Sequence, residues 1–515
     1  LHVRSRRQRQ MCIRDRIDIV FNKKEFEYDA YTLIKAFYPQ EEVSILYEGE
    51  EKTEAFQEKE EAFLVVKITY NKEDTRLEVL KNKETVFEET IFLASDDERK
   101  ERKNKLKQAL YRGLSKETKK VLPWGDLTGI RPTKIAMGLI ESGMSNVETA
   151  EFMRNTYYTS NEKTALAITI ANRERALLAD IDYKNGYSLY VGIPFCPSIC
   201  LYCSFSSYPL AKWRDKVDAY LDALCKELTY IGETMKVRTL DTIYIGGGTP
   251  TTLEPEQLER LLSHIECCFP TREVKEYTIE AGRPDSITRE KLEVIRKYPV
   301  TRISVNPQTM NQATLDLIGR RHTVEDTRHA FALARECGFD NINMDLIVGL
   351  PGECAKDVQK TLEEVKKMEP DSLTVHSLAI KRATRLHLFQ DRYQEMSFEN
   401  NQEIMDMAMN CARECGMGPY YLYRQKNMSG NLENVGYAKE DKAGIYNILI
   451  MEEKQSIIAA GAGASTKFVF EDGARIERAE NVKDVTNYIF RIDEMIERKR
   501  SGLKKYLEIG SAQDE

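Results

Sequence analysis

The sequence predicts an α/β protein whose central part is a partial (β/α)6 barrel, flanked by an N-terminal α+β domain and a small C-terminal α+β capping domain. Between residues 187 and 384, short β-branched runs alternate six times with amphipathic segments, which is typical of parallel strands joined by helices. Six strands are too few for a closed eight-stranded barrel, so we expect an open one. Glycines and polar residues follow the strands, where such folds hold their functional groups.

Composition narrows the class of protein. The 515 residues are 31% charged and 42% apolar with a net charge of −7, which argues against a general nucleic-acid binder. The sequence contains no apolar run of about 18 residues, so we expect no membrane span. The cysteines number 11 and are mostly scattered, which fits a reducing compartment, and we expect the cytoplasm.

The N-terminal part carries no chemical motif. Residues 1–16 are rich in arginine and lack the apolar core of a secretory signal, and we expect a leader that is not native sequence. Residues 17–185 are predicted to form the N-terminal α+β domain, with a charged helix at Asp96–Leu114. The Pro- and Gly-containing stretch Leu122–Lys134 indicates a packed inter-domain loop, with a ligand-contacting loop as the alternative.

Residues 186–384 are predicted to form the barrel core and residues 385–515 the capping domain. In the capping domain we expect strands at Tyr446–Glu452 and Ile457–Ala460 and a helix at Val482–Lys499. The predicted barrel strands are Leu189–Ile193, Thr242–Ile245, Glu276–Glu280, Arg302–Val305, Asn341–Val348 and Leu373–Leu378.

A cysteine loop follows the first barrel strand. Cys196, Cys200 and Cys203 have the spacing Cys-x3-Cys-x2-Cys, and thiolates suit both iron–sulfur clusters and zinc. A zinc site needs a fourth ligand, and no histidine or further cysteine is near in the sequence. A four-iron cluster on three cysteines instead leaves one iron open to a substrate. The pattern favours the open cluster over structural zinc and over a disulfide scaffold.

Polar residues at three other strand ends are candidate ligand groups. Gly247, Gly248 and Thr249 lack bulk and allow a ligand close to the backbone, although a plain turn is the alternative. Glu280 ends an apolar strand and is either a ligand group or a solvated strand end. Asp345 lies within a buried strand, where a carboxylate must have a partner.

These motifs, together with Gln308 and Gly349-Leu-Pro-Gly352, resemble radical S-adenosylmethionine (SAM) enzymes, and more narrowly the oxygen-independent coproporphyrinogen III oxidase (coproporphyrinogen dehydrogenase) group. Leu127–Lys134, Arg302–Asn311 and Asn427–Asn434 resemble its HemZ-type branch. The resemblance implies one [4Fe-4S] cluster on the three cysteines and one or two SAM molecules, one of them chelating the fourth iron. It implies SAM contacts at Tyr190, Tyr202, Gly247, Gly248, Thr249, Glu280, Gln308, Arg320, Asp345 and Ala379.

The resemblance also implies a reaction. The expected activity is oxidative decarboxylation of coproporphyrinogen III propionates to vinyl groups, which gives protoporphyrinogen IX through a 5′-deoxyadenosyl radical. A reductant and an electron acceptor are expected partners, and the sequence names neither. Lys381, Arg382 and Arg385 could bind propionates, and a solvated basic turn is the alternative.

Phe205 marks a departure from the family pattern, because well-characterised oxidases of the group carry a fourth cysteine at this position. Haem-chaperone relatives also lack that cysteine. Two alternatives therefore stay open: a haem-binding chaperone that retains the cluster, and radical SAM chemistry on another tetrapyrrole.

Overall fold

The computed structural model describes residues 16–49, 62–92, 98–129, 131–379, 381, 384–388, 399–424, 432–470 and 473–511. The chain divides into two compact units at the boundary between Ile168 and Thr169. The predicted core and capping regions both lie in the second unit, and the division at 185 and 384 stays a prediction about independently folding parts. Most of the predicted leader lies outside the described residues. Its last residue, Arg16, begins the first strand and pairs with Asp18 at 2.9 Å.

The first unit packs helices against a mixed sheet. Its described strands have the order β2-β1-β3-β4-β5, with β1 parallel to β2 and β3, and with β4 antiparallel to its neighbours. Trp124 is buried, so the loop around it is packed, and the loop lies within the first unit. The strands are β1 Arg16–Phe21, β2 Glu42–Tyr47, β3 Leu64–Tyr70, β4 Asp74–Lys81 and β5 Glu84–Phe92. The helices are α1 Glu27–Phe37, α2 Arg99–Thr118, α3 Thr133–Glu141, α4 Asn146–Tyr157 and α5 Asn161–Leu177, which continues into the second unit.

The second unit is built on one long sheet. Its strands are β6 Gly186–Ile193, β7 Phe195–Cys196, β8 Tyr208–Pro209, β9 Thr239–Gly247, β10 Glu276–Gly282, β11 Arg302–Val305, β12 Ile342–Val348, β13 Ser372–Ser377, β14 Gly418–Tyr423, β15 Asn434–Ala438, β16 Ser456–Ala460, β17 Ser465–Phe470 and β18 Arg475–Glu480. Its helices are α6 Leu210–Trp213, α7 Val217–Met235, α8 Pro255–Cys268, α9 Arg289–Arg296, α10 Gln312–Leu317, α11 Val324–Glu336, α12 Ala355–Met368, α13 Arg385–Leu388, α14 Gln402–Glu414, α15 Ile445–Glu452, α16 Val485–Phe490 and α17 Ile492–Ser511.

The six predicted strands are neighbours in this sheet, in the order β6, β9, β10, β11, β12 and β13, and all their mutual pairings are parallel. The prediction of a partial barrel is therefore confirmed. In the described part of the chain, β16 pairs in parallel with β6 and begins one flank, which β17 and β18 continue, while β15 and β14 extend the other flank. The strands of the predicted capping region thus belong to the barrel sheet.

Side chains alternate between the two faces of the barrel strands. On the outer face, Leu189, Ile243 and Ile279 are fully buried, as expected of strands covered by helices. Polar side chains on the inner face bond across neighbouring strands, for example Thr242 to Ser188 at 2.8 Å. The inner face therefore forms a polar interior that leads to the strand ends.

The strand predicted at Tyr446–Glu452 is wrong, because this segment forms helix α15. Short apolar runs do not distinguish a strand from a buried helix by periodicity. In the helix, Tyr446, Leu449 and Glu452 are buried at a spacing of three residues, and Glu453, which follows the last helical residue, has the left-handed conformation. Among the described residues, no helix is long and apolar enough to cross a membrane.

Candidate functional site

One cavity at the carboxyl ends of the parallel strands unites most of the predicted site residues. Its volume is about 260 Å³. Its wall combines the cysteine loop after β6, the glycine turn at the end of β9 and polar side chains from β10 to β13. The predicted residues that line it are Cys196, Cys200, Tyr202, Cys203, Gly247, Gly248, Thr249, Glu280, Gln308, Arg320, Asp345, Ala379 and Lys381.

The cysteine loop is held in place from two sides. The short strands β7 and β8 pair across its base. On one side, the glycine turn donates from Gly248 N to Ile193 O at 2.7 Å. On the other, Leu201 N donates to Ile318 O at 2.9 Å, and Ser198 Oγ donates to Gly319 O at 2.8 Å. The loop is therefore fixed by hydrogen bonds before any ligand binds.

The three thiols are buried or partly buried at the wall of one cavity. Burial raises the pKa of the Cys196 thiol to about 11 and also raises that of Cys203. Thr249 Oγ1 donates to Cys196 Sγ at 3.6 Å, and Arg283 Nη1 donates to Cys200 Sγ at 3.6 Å. Because metals bind thiolates, loading this site with a metal centre must release protons.

The spacing of these thiols bears on the kind of centre they hold. Among the described residues, no group of three or more His, Cys, Asp or Glu side chains is arranged to hold a single metal ion. A cluster binds each thiolate through a different iron, so its ligands stand farther apart than the ligands of one ion. Three thiols that line one cavity suit an iron–sulfur cluster in which each thiolate binds a different iron.

The glycine turn is required by the protein's own packing. Gly247 has a φ of 106°, and a Cβ there would lie 2.9 Å from the hydroxyl oxygen of Tyr190. At Gly248 a Cβ would lie 2.6 Å from the carbonyl oxygen of Phe195. Both glycines therefore let the turn dock on the cysteine loop, and both still present backbone to the cavity.

Two carboxylates face the cavity with different electrostatics. Burial raises the pKa of Glu280 to about 7, and the carboxylate accepts a hydrogen bond from the Tyr244 hydroxyl. Burial also opposes ionisation of Asp345, but nearby His376 and Asn343 keep the pKa of Asp345 below its ordinary value. The Asn343 amide donates to Asp345 Oδ1 at 2.7 Å, and His376 Nε2 lies 3.9 Å from Oδ2. One site thus holds a readily protonated carboxyl beside an ionised carboxylate.

Gln308 joins the wall in a strained conformation. Its φ of 71° is in the left-handed region, and its backbone is fixed by hydrogen bonds to Asp345 O and from Ile347 N. The side-chain Oε1 of Gln308 is buried, and among the described residues it has no hydrogen-bond partner. The same holds for Asn306 Oδ1. Unpartnered buried oxygens beside a cavity fit a polar ligand that supplies donors.

The other predicted residues are placed as follows. Arg320 is buried, donates to the Tyr202 hydroxyl at 3.1 Å and also donates to Asn306 O. Tyr190 stacks on Tyr244 behind the glycine turn and is not among the residues that line the cavity. Lys381 and Phe205 are exposed and lie at the cavity wall.

Of the two other basic residues predicted to bind substrate, only Arg385 belongs to the described part of the chain. Arg385 is exposed at the start of α13 and does not line the described cavity. Arg382 lies outside the described residues.

Sequence reasoning missed Arg283 as part of the site wall. Arg283 directly follows β10, so the rule that selected Glu280 could have selected it too. Asn306 and His376 belong to the polar residues at the strand ends, and both line the cavity.

The chain is similar to known proteins over the region that carries the site. The Radical SAM superfamily model matches residues 190–365. An oxygen-independent coproporphyrinogen-III oxidase-like protein, HemZ, from Bacillus subtilis is 39% identical over 91% of this chain and 94% of its own length. The heme chaperone HemW of Bacillus subtilis is 34% identical over 46% of this chain and 62% of its own.

Among solved structures, coproporphyrinogen III oxidase (HemN) from Escherichia coli covers 62% of this chain and 73% of its own, with a TM-score of 0.50 and 24% identity. This likeness shows a shared fold. The similarity to HemZ extends over 91% of this chain. The chain therefore belongs to the radical SAM coproporphyrinogen oxidase family, in its HemZ-type branch.

Proposed function

We propose that this protein is a radical SAM oxidoreductase that decarboxylates the propionates of coproporphyrinogen III to vinyl groups and so makes protoporphyrinogen IX. The main observation behind this proposal is that one cavity is lined by three cysteines, two carboxylates and an exposed lysine. The relationship to an oxidase-like protein over nearly the whole chain supports the choice of substrate.

Family membership implies a [4Fe-4S] cluster and SAM. Cys196, Cys200 and Cys203 would hold the cluster, with one iron left for SAM. When bound, the cluster supplies the electron that cleaves SAM and yields the 5′-deoxyadenosyl radical.

The chain's own side chains would bind and orient SAM. Glu280 and Asp345 offer carboxylates to its cationic groups, and the orphaned Gln308 oxygen accepts a further hydrogen bond. The Arg320 guanidinium, which donates to the Tyr202 hydroxyl and lines the cavity, would pair with the carboxylate of SAM. Ala379 contributes to the wall after β13.

The tetrapyrrole would enter at the exposed end of the cavity. Lys381 lies there, and together with Arg382 and Arg385 it would pair with propionates. Each propionate loses one hydrogen atom, then CO2, and one electron passes to an acceptor, which leaves a vinyl group. A separate reductant must supply the electron that starts each turnover, and both redox partners would be other molecules of a reducing cytoplasm.

Haem delivery is the second candidate. It is favoured by Phe205, which is 72% exposed at the cavity wall in the place of a cysteine, and by the relative named as a heme chaperone. In that case the exposed aromatic ring would contact a bound macrocycle. Chemistry on another tetrapyrrole would use the same cavity and the same rim.

Product analysis tests the proposal. The protein, reconstituted anaerobically with iron and sulfide, is supplied with SAM, a reductant and coproporphyrinogen III. Formation of protoporphyrinogen IX and CO2 is expected. Cleavage of SAM without a vinyl product, together with stoichiometric haem binding, would contradict the oxidase proposal and favour delivery.

A variant tests the ligand assignment separately. Cys200→Ala should abolish cluster uptake, which iron analysis measures. Cys225→Ala is the matched control, because Cys225 is a buried thiol on α7 outside the cavity. Unchanged iron content in Cys200→Ala would refute the assignment.

A further inference from the structure

Arg283 lies between the third barrel strand and the cysteine loop. Strand β10 ends at Gly282, where the pairing with β11 shifts register and the glycine has a φ of 60°. This irregularity directs the next residue out of the strand. The Arg283 side chain is 5% exposed and lines the cavity beside the thiols.

The guanidinium is fixed at both ends of its fork. Its Nε and Nη2 donate to the two oxygens of Asp285 at 2.9 and 2.8 Å. Its third nitrogen, Nη1, donates to Cys200 Sγ at 3.6 Å and to Ser198 Oγ at 3.1 Å. Because Asp285 holds two of the three nitrogens in a plane, the third is aimed at the cysteine loop before a cluster is present.

The neighbouring groups leave this arrangement undisturbed. His322 Nδ1 lies 4.0 Å from Asp285 Oδ1, and burial lowers the pKa of His322 to about 3. At 4.0 Å the imidazole is too far away to donate a hydrogen bond to the carboxylate, and near pH 7 it carries no charge that would compete with Arg283. The guanidinium of Arg320 also faces this group and adds positive charge near Asp285.

The donors to the thiols differ in charge. Cys196 receives a hydrogen bond from the neutral hydroxyl of Thr249, whereas Cys200 receives one from a cation. Hydrogen bonds to cluster sulfurs and charges nearby set the reduction potential of an iron–sulfur cluster. A cationic donor stabilises the reduced cluster most, because that state carries the additional negative charge.

We propose that Arg283 is a positioning residue for the cluster: its guanidinium, held by Asp285, donates to the Cys200 thiolate and raises the midpoint potential at which the cluster is reduced. This inference rests on the ligand role proposed for Cys200.

The test is a potentiometric titration of the reconstituted full-length protein, followed by the EPR signal of the reduced cluster, without SAM or tetrapyrrole. In Arg283→Gln the midpoint is expected to move to a more negative potential. A lost charge-assisted hydrogen bond of about 1.5 kcal/mol changes the oxidised-to-reduced ratio about tenfold at a fixed potential. Tenfold is about 59 mV for a one-electron couple.

Arg289→Gln is the matched control, since Arg289 is an exposed arginine nearby that pairs with Glu336. Its midpoint should equal that of the unmodified protein. If Arg283→Gln holds as much iron as the unmodified protein and has the same midpoint, the proposal is refuted.

Arg283→Lys covers the case in which Arg283→Gln takes up no cluster. If this charge-retaining variant takes up iron, its midpoint should lie close to that of the unmodified protein, which supports the proposal, and a midpoint about 59 mV more negative contradicts it. Iron content as low as that of Arg283→Gln, in a chain that circular dichroism shows to be folded, contradicts it. Since no tetrapyrrole is present, failure here is distinct from failure to form product.

Discussion

Two clusters of buried polar side chains in the second unit differ in how completely they are hydrogen-bonded. In the first, Glu227 on α7 accepts hydrogen bonds from Lys499, Asn481, Tyr488 and the backbone of Gly461. Among the described residues, each side chain of this group has its partners. In the second, the cavity wall leaves oxygens of Gln308 and Asn306 and a nitrogen of Arg320 without partners.

The difference teaches how to distinguish a structural polar group from a binding site. A satisfied network stabilises packing, and here it fastens the C-terminal helix α17 to α7. Orphaned polar atoms in a folded protein cost stability unless a ligand satisfies them. Substitutions in the Glu227 network should therefore lower the free energy of unfolding, whereas substitutions in the cavity wall should lower the affinity for a ligand.

The largest effect is expected from Lys499→Met. The side chains of Lys499 and Glu227 are both 0% exposed, so this change leaves a buried carboxylate without its counter-charge. Loss of one partner of a buried ion pair costs about 3–5 kcal/mol. Urea denaturation measures the free energy of unfolding.

Lys504→Met is the control for that prediction, because the Lys504 side chain is 76% exposed on the same helix. It should change the free energy of unfolding by less than about 0.5 kcal/mol. A comparable small loss in Lys499→Met would show that the network does not stabilise the fold.

Glu280→Gln should raise the stability of the protein at pH 8 and lower its affinity for SAM. Burial raises the pKa of Glu280 from 4.5 to about 7, so between these values the folded chain holds a proton that the unfolded chain has released. The free energy of unfolding therefore falls as the pH rises through this window, by on the order of 3 kcal/mol from this group. The variant lacks this fall and should be more stable than the unmodified protein at pH 8.

Denaturation at pH 5 and pH 8 checks the stability difference, and calorimetry checks SAM binding, which should weaken about tenfold or more. Glu293→Gln, an exposed change on α9, should alter neither. An unchanged pH dependence in Glu280→Gln would show that Glu280 is not the group that titrates.

Gln308→Gly should raise stability while it lowers SAM affinity. Glycine adopts a φ of 71° without strain. Once the larger loss of backbone entropy of a glycine is subtracted, the free energy of unfolding should rise by up to about 1 kcal/mol. Gln308→Ala removes the same amide without relieving strain. Both variants should bind SAM more weakly, and only the glycine variant should have a higher melting temperature. Equal melting temperatures for the two variants would show that Gln308 is not strained.

The smallest effect is expected at the rim. Lys381 is exposed, and an exposed ion pair contributes about 0–1 kcal/mol, so Lys381→Ala should weaken binding of coproporphyrinogen III only a few-fold. The effect should shrink in high salt, and SAM cleavage should be unchanged. A loss that persists in high salt would indicate that Lys381 acts inside the cavity.

Much of the site could be predicted from the chain alone because its signals are local. Cys196, Cys200 and Cys203 lie within eight residues, and the glycine turn follows directly from its strand. The polar strand ends were predictable once six parallel strands were recognised, since such strands end at one edge. Tyr190 was predicted to contact SAM from the resemblance alone, and the structure places it behind Gly247.

The helix α15 shows where local signals fail. Its eight residues form a short apolar run, and only their packing with distant residues of the same unit decides between helix and strand. The role of Arg283 was equally inaccessible, because its target Cys200 lies 83 residues earlier in the chain.

The sequence by itself determined the family and the candidate site of this protein, because the thiol spacing, the alternation of strand and helix, and the polar residues at strand ends are each read within a few positions. Only the tertiary structure decided the partners. Lys499 meets Glu227 across 272 residues, and the C-terminal strands join both flanks of the barrel sheet. Pairings at such separation depend on how the whole chain packs, and no short stretch of sequence encodes them.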